Sequence, residues 1–207
     1  KGVAATLPLS DKRDFDEAKK GFIAEPPYTK IMADAGHVAW DMASYGWLLT
    51  GKDFESIHPS LQRQAVLNMA YGLYEVVPGR IYQVRGYDLA NISFIKGDTG
   101  WIVFDPLTAQ ETARAALAFI NEKLGKRPVV GVVYSHSHVD HFGGVRGVVD
   151  EADVASGKVM VIAPEHFLQE AIAENVFAGN AMSRRTQWQY AVLLQRSPFG
   201  HVDQAIG

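Results

Sequence analysis

The chain has no cysteine among its 207 residues, which excludes disulfides, thiolate metal ligands and a cysteine nucleophile together. Any metal it holds must be bound by imidazole or carboxylate. No apolar stretch approaches the roughly 20 residues a membrane-spanning helix needs, so a membrane span is not expected. Runs of Lys or Arg are also missing and the formal net charge is only -3. Neither nucleic acid nor an anionic membrane surface is therefore expected as a partner, and small molecules are. The chain begins at Lys1 without a basic-then-apolar leader, a start that fits a leader removed or one lying outside this sequence, and the compartment stays open. Internal repeats, low-complexity segments and a Pro/Gly-rich linker are absent as well. What is present is 47% apolar residues, enough at this length to bury the core of one domain or the larger part of one.

Along the chain, the first eighty residues read as a peripheral arm, helical and polar at its start. Residues 11–20 are dense in charge, the pattern of a solvated helix face, and Pro26-Pro27 breaks any regular element beyond them. Pro59 suits a first helical position, and Leu61, Val66, Met69 and Leu73 give an amphipathic spacing that lays a helix over a sheet. Short strands are expected at 73–77, 81–84, 92–96 and 101–104, punctuated by Pro78-Gly79, Gly86 and Gly97-Asp98-Thr99-Gly100, as an antiparallel meander. Residues 108–124 form the clearest helix, with Glu111 three residues after a Thr108 cap and Gly125 closing it. A strand at 158–163 and helices at 164–175 and 181–194 come next, the last carrying Arg184-Arg185. The parse is one α/β unit with an N-terminal extension.

The densest chemistry lies in Ser135-His136-Ser137-His138-Val139-Asp140-His141-Phe142-Gly143-Gly144, which packs three imidazoles and one carboxylate into six positions. It comes directly after a β-branched run at 129–134 that reads as a strand buried on both faces. Four ligand-type side chains so close behind a strand seldom arise for structural reasons, so this is a metal site. In extended chain, positions two apart point the same way; His136, His138 and Asp140 are then expected to converge, with His141 on the other side. One such loop serves two metals. Asp105 closes a strand in Phe104-Asp105-Pro106, where it either orients a metal-bound imidazole or makes an ordinary turn. Asn91, just before a strand, either bonds near the site or closes a turn. Gly143-Gly144 allows a tight exit and a close backbone approach to metal or substrate. His37, His58, His166 and His201 lack ligand spacing.

His136-Ser137-His138-Val139-Asp140-His141 resembles the His-x-His-x-Asp-His signature of the metallo-β-lactamase superfamily. Blocks at 82–91, Asp105-Pro106-Leu107, 135–148 and 178–185 resemble its alkylsulfatase branch, and together they span more than half the chain. The resemblance implies an αββα four-layer fold, zinc as cofactor with two ions per active site, and hydrolysis of alkyl sulfate esters. It assigns His136 and His138 to one zinc and Asp140 and His141 to the second, with two glutamates and a histidine expected beyond Gly207. Asp105 becomes the orienting residue, and Asn91, Asn180, Met182 and Arg184 become substrate contacts, Arg185 being a further cationic candidate. An apolar channel for the alkyl tail would draw on Trp40, Trp47, Trp101, Trp188 and Tyr190, most of them expected in the core. Residues 1–72 are then a helical extension packing on the catalytic domain, and 73–207 are the first part of that domain. Dimerisation and sterol-carrier-like domains are expected beyond 207. A homodimer and a periplasmic or secreted bacterial location are implied too, with the cytoplasm as the alternative compartment. Rival readings keep the same ligands for a lactonase, thioesterase or β-lactamase, or make the chain a non-catalytic fragment with an incomplete site.

Overall fold

Apolar side chains at every second position build one sheet, because alternate residues of a strand face the same side. In the computed structural model, which describes residues 4–203, the chain runs through α1 (Arg13–Ala18), β1 (Phe22–Ala24), β2 (Lys30–Met32) and β3 (Val38–Asp41). A 3-10 segment (Met42–Thr50) and α2 (Pro59–Leu67) lead to the strands β4 (Gly72–Val77), β5 (Ile81–Arg85), β6 (Ile92–Lys96) and β7 (Trp101–Phe104). Next come α3 (Gln110–Leu124), β8 (Val129–Val133), α4 (Glu151–Ala155) and β9 (Met160–Ile162). The chain closes with α5 (Phe167–Ile172), a π-helical turn (Ala173–Phe177) and α6 (Gly179–Tyr190).

Seven strands form one sheet in the order β1-β4-β5-β6-β7-β8-β9, and β2-β3 make a separate hairpin. Pairing is antiparallel from β1 to β7 and parallel at β7-β8 and β8-β9. The expected meander is thus β4 to β7, and α3 carries the crossover that turns the sheet parallel, the long connection such a turn requires. Val84, Ile92, Phe94, Trp101, Val103 and Val132 are fully buried and pack with Ala113, Ala116, Phe119 and Ile120 of α3 in one core. Phe119 stacks on Tyr87 with ring centroids 5.8 Å apart. This is a mixed α/β architecture around a central sheet, the first sheet of the expected αββα stack with its helical cover. Among the described residues, no helix is long and apolar enough to cross a membrane.

Several boundaries differ from the sequence reading for identifiable reasons. Residues 1–72 were expected as a helical extension; β1, β2 and β3 lie there too, and β1 pairs with β4 as an edge of the main sheet. Strands of three or four residues are too short to display a period. Helix α3 starts at Gln110, not 108: its N-cap is Ala109, which makes no side-chain cap bond, and the Asp88 carboxylate on another segment accepts from Thr108 N and Ala109 N. Thr108 donates its hydroxyl to that same carboxylate, and Glu111 accepts from the backbone of Asp34 instead of closing a capping box. Strand β8 is half-buried apart from Val132, since its outer neighbour β9 is a short edge strand with Met160 and Ile162 exposed.

A second, smaller core joins the 3-10 segment and α2 through Tyr45, Leu48, Ile57, Ala65 and Val202. His201 is buried beside it, its ring 5.7 Å from Tyr45. Burial, and then the nearby Arg196 charge, hold the His201 imidazole below its ordinary pKa of 6.5. The unfolded chain therefore takes up a proton near pH 6.5 that the folded chain refuses until lower pH, so this residue lowers stability as pH falls below 6.5 and has no pH effect above it. Urea denaturation of the wild type and His201→Gln between pH 5 and 8 checks this: the stability of the wild type relative to the variant is expected to fall below about pH 6.5 and to stay flat above it. A relative stability independent of pH would contradict the assignment.

Candidate metal centre

Because β7 and β8 are parallel neighbours in register at Phe104 and Val133, the chain leaves both at the same end of the sheet. Loops after such strands are where open α/β sheets place their sites. The first loop is held by its backbone: Asp105 N–H donates to Val133 O at 3.0 Å, and Asp105 and Leu107 sit in the left-handed region at φ 56° and 63°. Such conformations cost of the order of 1–3 kcal/mol each for non-glycine residues and persist only where surrounding contacts over-determine them.

Those contacts come from the second loop. The Asp105 carboxylate, 7% exposed, accepts from Ser135 N at 2.7 Å, Ser135 Oγ at 2.6 Å and His141 Nδ1 at 2.9 Å. Burial alone would push its pKa up, but the bonds from His141 and Ser135 outweigh burial and hold it below the ordinary carboxylate value. Ionised, it is an acceptor only. The single proton of Ser135 Oγ is therefore given to Asp105, and at His136 Nδ1, 2.8 Å away, the same oxygen accepts. Both His136 and His141 thus carry a proton on Nδ1, and Nε2 of His141 faces Asp140.

The imidazoles lie against one another. His136 is 4.5 Å from His138 and 4.1 Å from His141, centroid to centroid, and Asp140 Oδ2 is 3.2 Å from His141 Nε2. This corrects the expected alternation: the strand ends at Val133 and a 3-10 turn spans Val139–His141, so His141 swings to the same side as His136. The hydrogen bonds that His141 donates to Asp105 and then to Asp140 push it up to about 9 against the opposing effect of burial. Burial, followed by the neighbouring His141 and His138, moves His136 the other way. Burial would raise Asp140, but the bond from His141 and its charge, with smaller contributions from a backbone bond and His138, outweigh burial and hold it low. Imidazole and carboxylate suit zinc, and His136 with His138 and Asp140 with His141 are adjacent pairs of such donors. Among the described residues, no group of three or more His, Asp or Glu side chains is placed to hold a metal ion.

None of these bonds joins the remaining candidates to the cluster. Asn91 lines a cavity of about 140 Å³ with Trp40, Asn68, Arg85, Asp88 and Asp203, a lining that includes none of the three histidines. On α6, Asn180 and Arg184 are exposed and Met182 is half-buried, and Arg184 Nε reaches Asn180 O at 3.3 Å. Of the aromatic stock, Trp101 is core whereas Trp188 is 91% exposed. Two contributors escaped the sequence reading. Glu174, on the π-helical turn, brings Oε1 to 3.4 Å from His138 Nε2, and a lone glutamate in a helical stretch gives no signal. Ser135 was visible only as the residue before the first histidine.

The exit of the loop is packed backbone to backbone. A Cβ on Gly143 would lie 2.4 Å from Thr108 O, and one on Gly144 would lie 2.2 Å from Pro106 O. The close approach expected of these glycines is therefore to the chain's own 105–109 loop, not to metal or substrate.

A family model for the metallo-beta-lactamase superfamily matches residues 85–198. A linear primary-alkylsulfatase of Pseudomonas sp is 50% identical over 202 residues, 97% of this chain and 30% of that protein. An (R)-specific secondary-alkylsulfatase of Pseudomonas sp is 47% identical over 205 residues, 99% of this chain and 30% of that protein. Among solved structures, a stereoselective inverting sec-alkylsulfatase from Pseudomonas sp. superposes with a TM-score of 0.89 at 49% identity, over 98% of this chain and 32% of that one. The chain therefore spans about 30% of the length of the curated relatives it matches. These matches bear out the resemblance to the alkylsulfatase branch.

The glycine packing sets a test. Gly144→Ala is expected to destabilise the chain by about 1–3 kcal/mol, the usual cost of forcing extra atoms into a packed site. Urea denaturation measures it, with Gly36→Ala as a contrast: both carry the same substitution, but a Cβ at Gly36 meets nothing within 4 Å, so its cost comes from backbone conformation alone. Wild-type stability in Gly144→Ala would contradict the packing described.

Proposed function

We propose, from the premise that the chain belongs to the metallo-beta-lactamase superfamily, that it contributes to hydrolysis of alkyl sulfate esters to alcohol and sulfate in a zinc-dependent site. The observation that carries this reading is identity of about half to two alkylsulfatases along nearly the whole chain. His136 and His138 would hold one ion and Asp140 and His141 a second. Bound zinc supplies a Lewis acid that brings the pKa of water near 7, making a nucleophile available at neutral pH.

The chain's own residues prepare that site. Asp105 keeps the Nδ1 proton on His141 and, through Ser135, on His136, so that each ring offers Nε2. We assign the sulfate to Arg184, with Asn180 and Met182 beside it on α6 and Asn91 as a further contact, since a departing anion needs cationic or hydrogen-bonding groups. A homodimer belongs to the same proposal.

One observation favours a second reading. A catalytic zinc takes three protein ligands and a structural one four, whereas each pair here supplies two. A chain that spans about 30% of its relatives, and in which no group of three or more such side chains is placed for metal among the described residues, fits a unit that needs further ligands from elsewhere.

Release of inorganic sulfate from a medium-chain alkyl sulfate, measured beside lactone, thioester and β-lactam hydrolysis, decides between these. The first reading expects sulfate release that a chelator abolishes and zinc restores, and Asp105→Asn weakening zinc binding about 10–100-fold. Turnover of only the other substrates would contradict it. Less than one zinc per molecule, with activity regained only on adding a longer segment, would establish the incomplete unit.

A further inference from the structure

We propose that Asp88, a buried carboxylate that touches none of the candidate metal ligands, is the positioning residue of the metal loop. Only its consequence for metal binding rests on the zinc reading above. Asp88 is 6% exposed and lies just after β5. Its Oδ1 accepts from Leu89 N at 2.7 Å and Thr108 Oγ at 2.6 Å. Its Oδ2 accepts from Thr108 N at 3.2 Å, Ala109 N at 3.3 Å and the Thr112 hydroxyl. Four of these five donors belong to the start of α3 and the residue before its cap. A helix start carries four unpaired N–H groups and a partial positive charge; the methyl of the N-cap Ala109 can meet none of them, and Asp88 accepts from one, Ala109 N, beside both donors of Thr108. One anion from a different strand end therefore sets where the segment 106–110 lies.

That segment is the bed of the metal loop. Gly144 N–H donates to Leu107 O at 2.8 Å, and Cβ atoms built on Gly143, Gly144 and Gly147 would fall 2.4, 2.2 and 2.0 Å from Thr108 O, Pro106 O and Gln110 O. Backbones in such contact do not slide independently. At one end of the segment stands left-handed Asp105, bonded to Ser135 and His141; against the rest of it lie the glycines, the first only two residues after His141. A shift of 106–110 thus reaches the imidazoles from both sides. Burial of an ion is costly, and here five donors offset that cost at a point where an ordinary Ser or Asp cap on α3 itself would serve the helix alone. The extra reach, from β5 to the loop, is what the remote carboxylate adds.

The test separates positioning from general stability. Asp88→Asn keeps the shape but turns an NH2 toward N–H and O–H donors, and Thr112→Val removes one donor and is used if the first variant does not fold. Asn121→Ala, at the far end of the same helix, deletes the acceptor of Trp101 Nε1 and Arg127 N and serves as the control. Amide hydrogen exchange at Gly144 and Ser135 and zinc affinity by chelator competition are measured where all variants are folded. Asp88→Asn is expected to speed exchange at both amides and weaken zinc binding, each at least tenfold, with Thr112→Val smaller in the same sense and Asn121→Ala changing neither. Unchanged exchange in both Asp88→Asn and Thr112→Val, or an equal change in Asn121→Ala, would overturn the proposal. Wild-type chain that binds no zinc would remove the zinc reading, while the exchange data still decide the role of Asp88.

Discussion

The carboxylate of Asp105 joins the ends of two parallel strands, and the arrangement of the histidines depends on it. Three donors converge on a side chain that is almost fully buried, two from Ser135 and one from His141. Hydrogen bonds to a charged group contribute about 1.5–3 kcal/mol each, which together exceeds the roughly 1–3 kcal/mol of its left-handed backbone. The strain is retained because the bonds require it. Only with the chain turned this way after β7 does the carboxylate face the loop leaving β8.

From that bond the rest of the site is built. Protons held on Nδ1 of His136 and His141 make Nε2 the nitrogen a metal would take, in His141 by displacing its bond to Asp140, and the three imidazoles crowd within 4.5 Å of a neighbour despite their mutual repulsion when charged. The sheet supplies the other half of the order. Trp101 and Val103 of β7 and Val132 of β8 are buried against α3, so the strand ends that carry both loops are set by the core. Glycines at 143, 144 and 147 then let one loop rest directly on the other.

Much of this was legible in the sequence, and the reasons are local. Strands β6 and β7 lie where alternation and the turn residues Gly86 and 97–100 put them, and the His-x-His-x-Asp-His stretch was visible as a candidate metal site without reference to any fold. The direction of His141 was not, because it depends on where the strand stops and the 3-10 turn begins, a choice made by contacts with Asp105 and not by local pattern. The start of α3 depends on a distant residue for the same reason: Thr108 has the right identity and spacing for a cap, yet its hydroxyl donates to Asp88, twenty residues earlier in the chain. Glu174 and the strands of the first 72 residues left no signature that a single sequence displays. The substrate side is the least legible part, since Asn180, Met182 and Arg184 lie on a largely exposed helix and owe their assignment to resemblance.

The proposed site binds zinc through imidazole nitrogens oriented by Asp105. X-ray absorption of the zinc-loaded chain tests it most directly. It should show imidazole nitrogens at about 2.0–2.1 Å, with histidine ring scattering that falls, His141 alone remaining, on replacing His136 and His138. Zinc coordinated by oxygen alone, or ring scattering unchanged in that double variant, would contradict it.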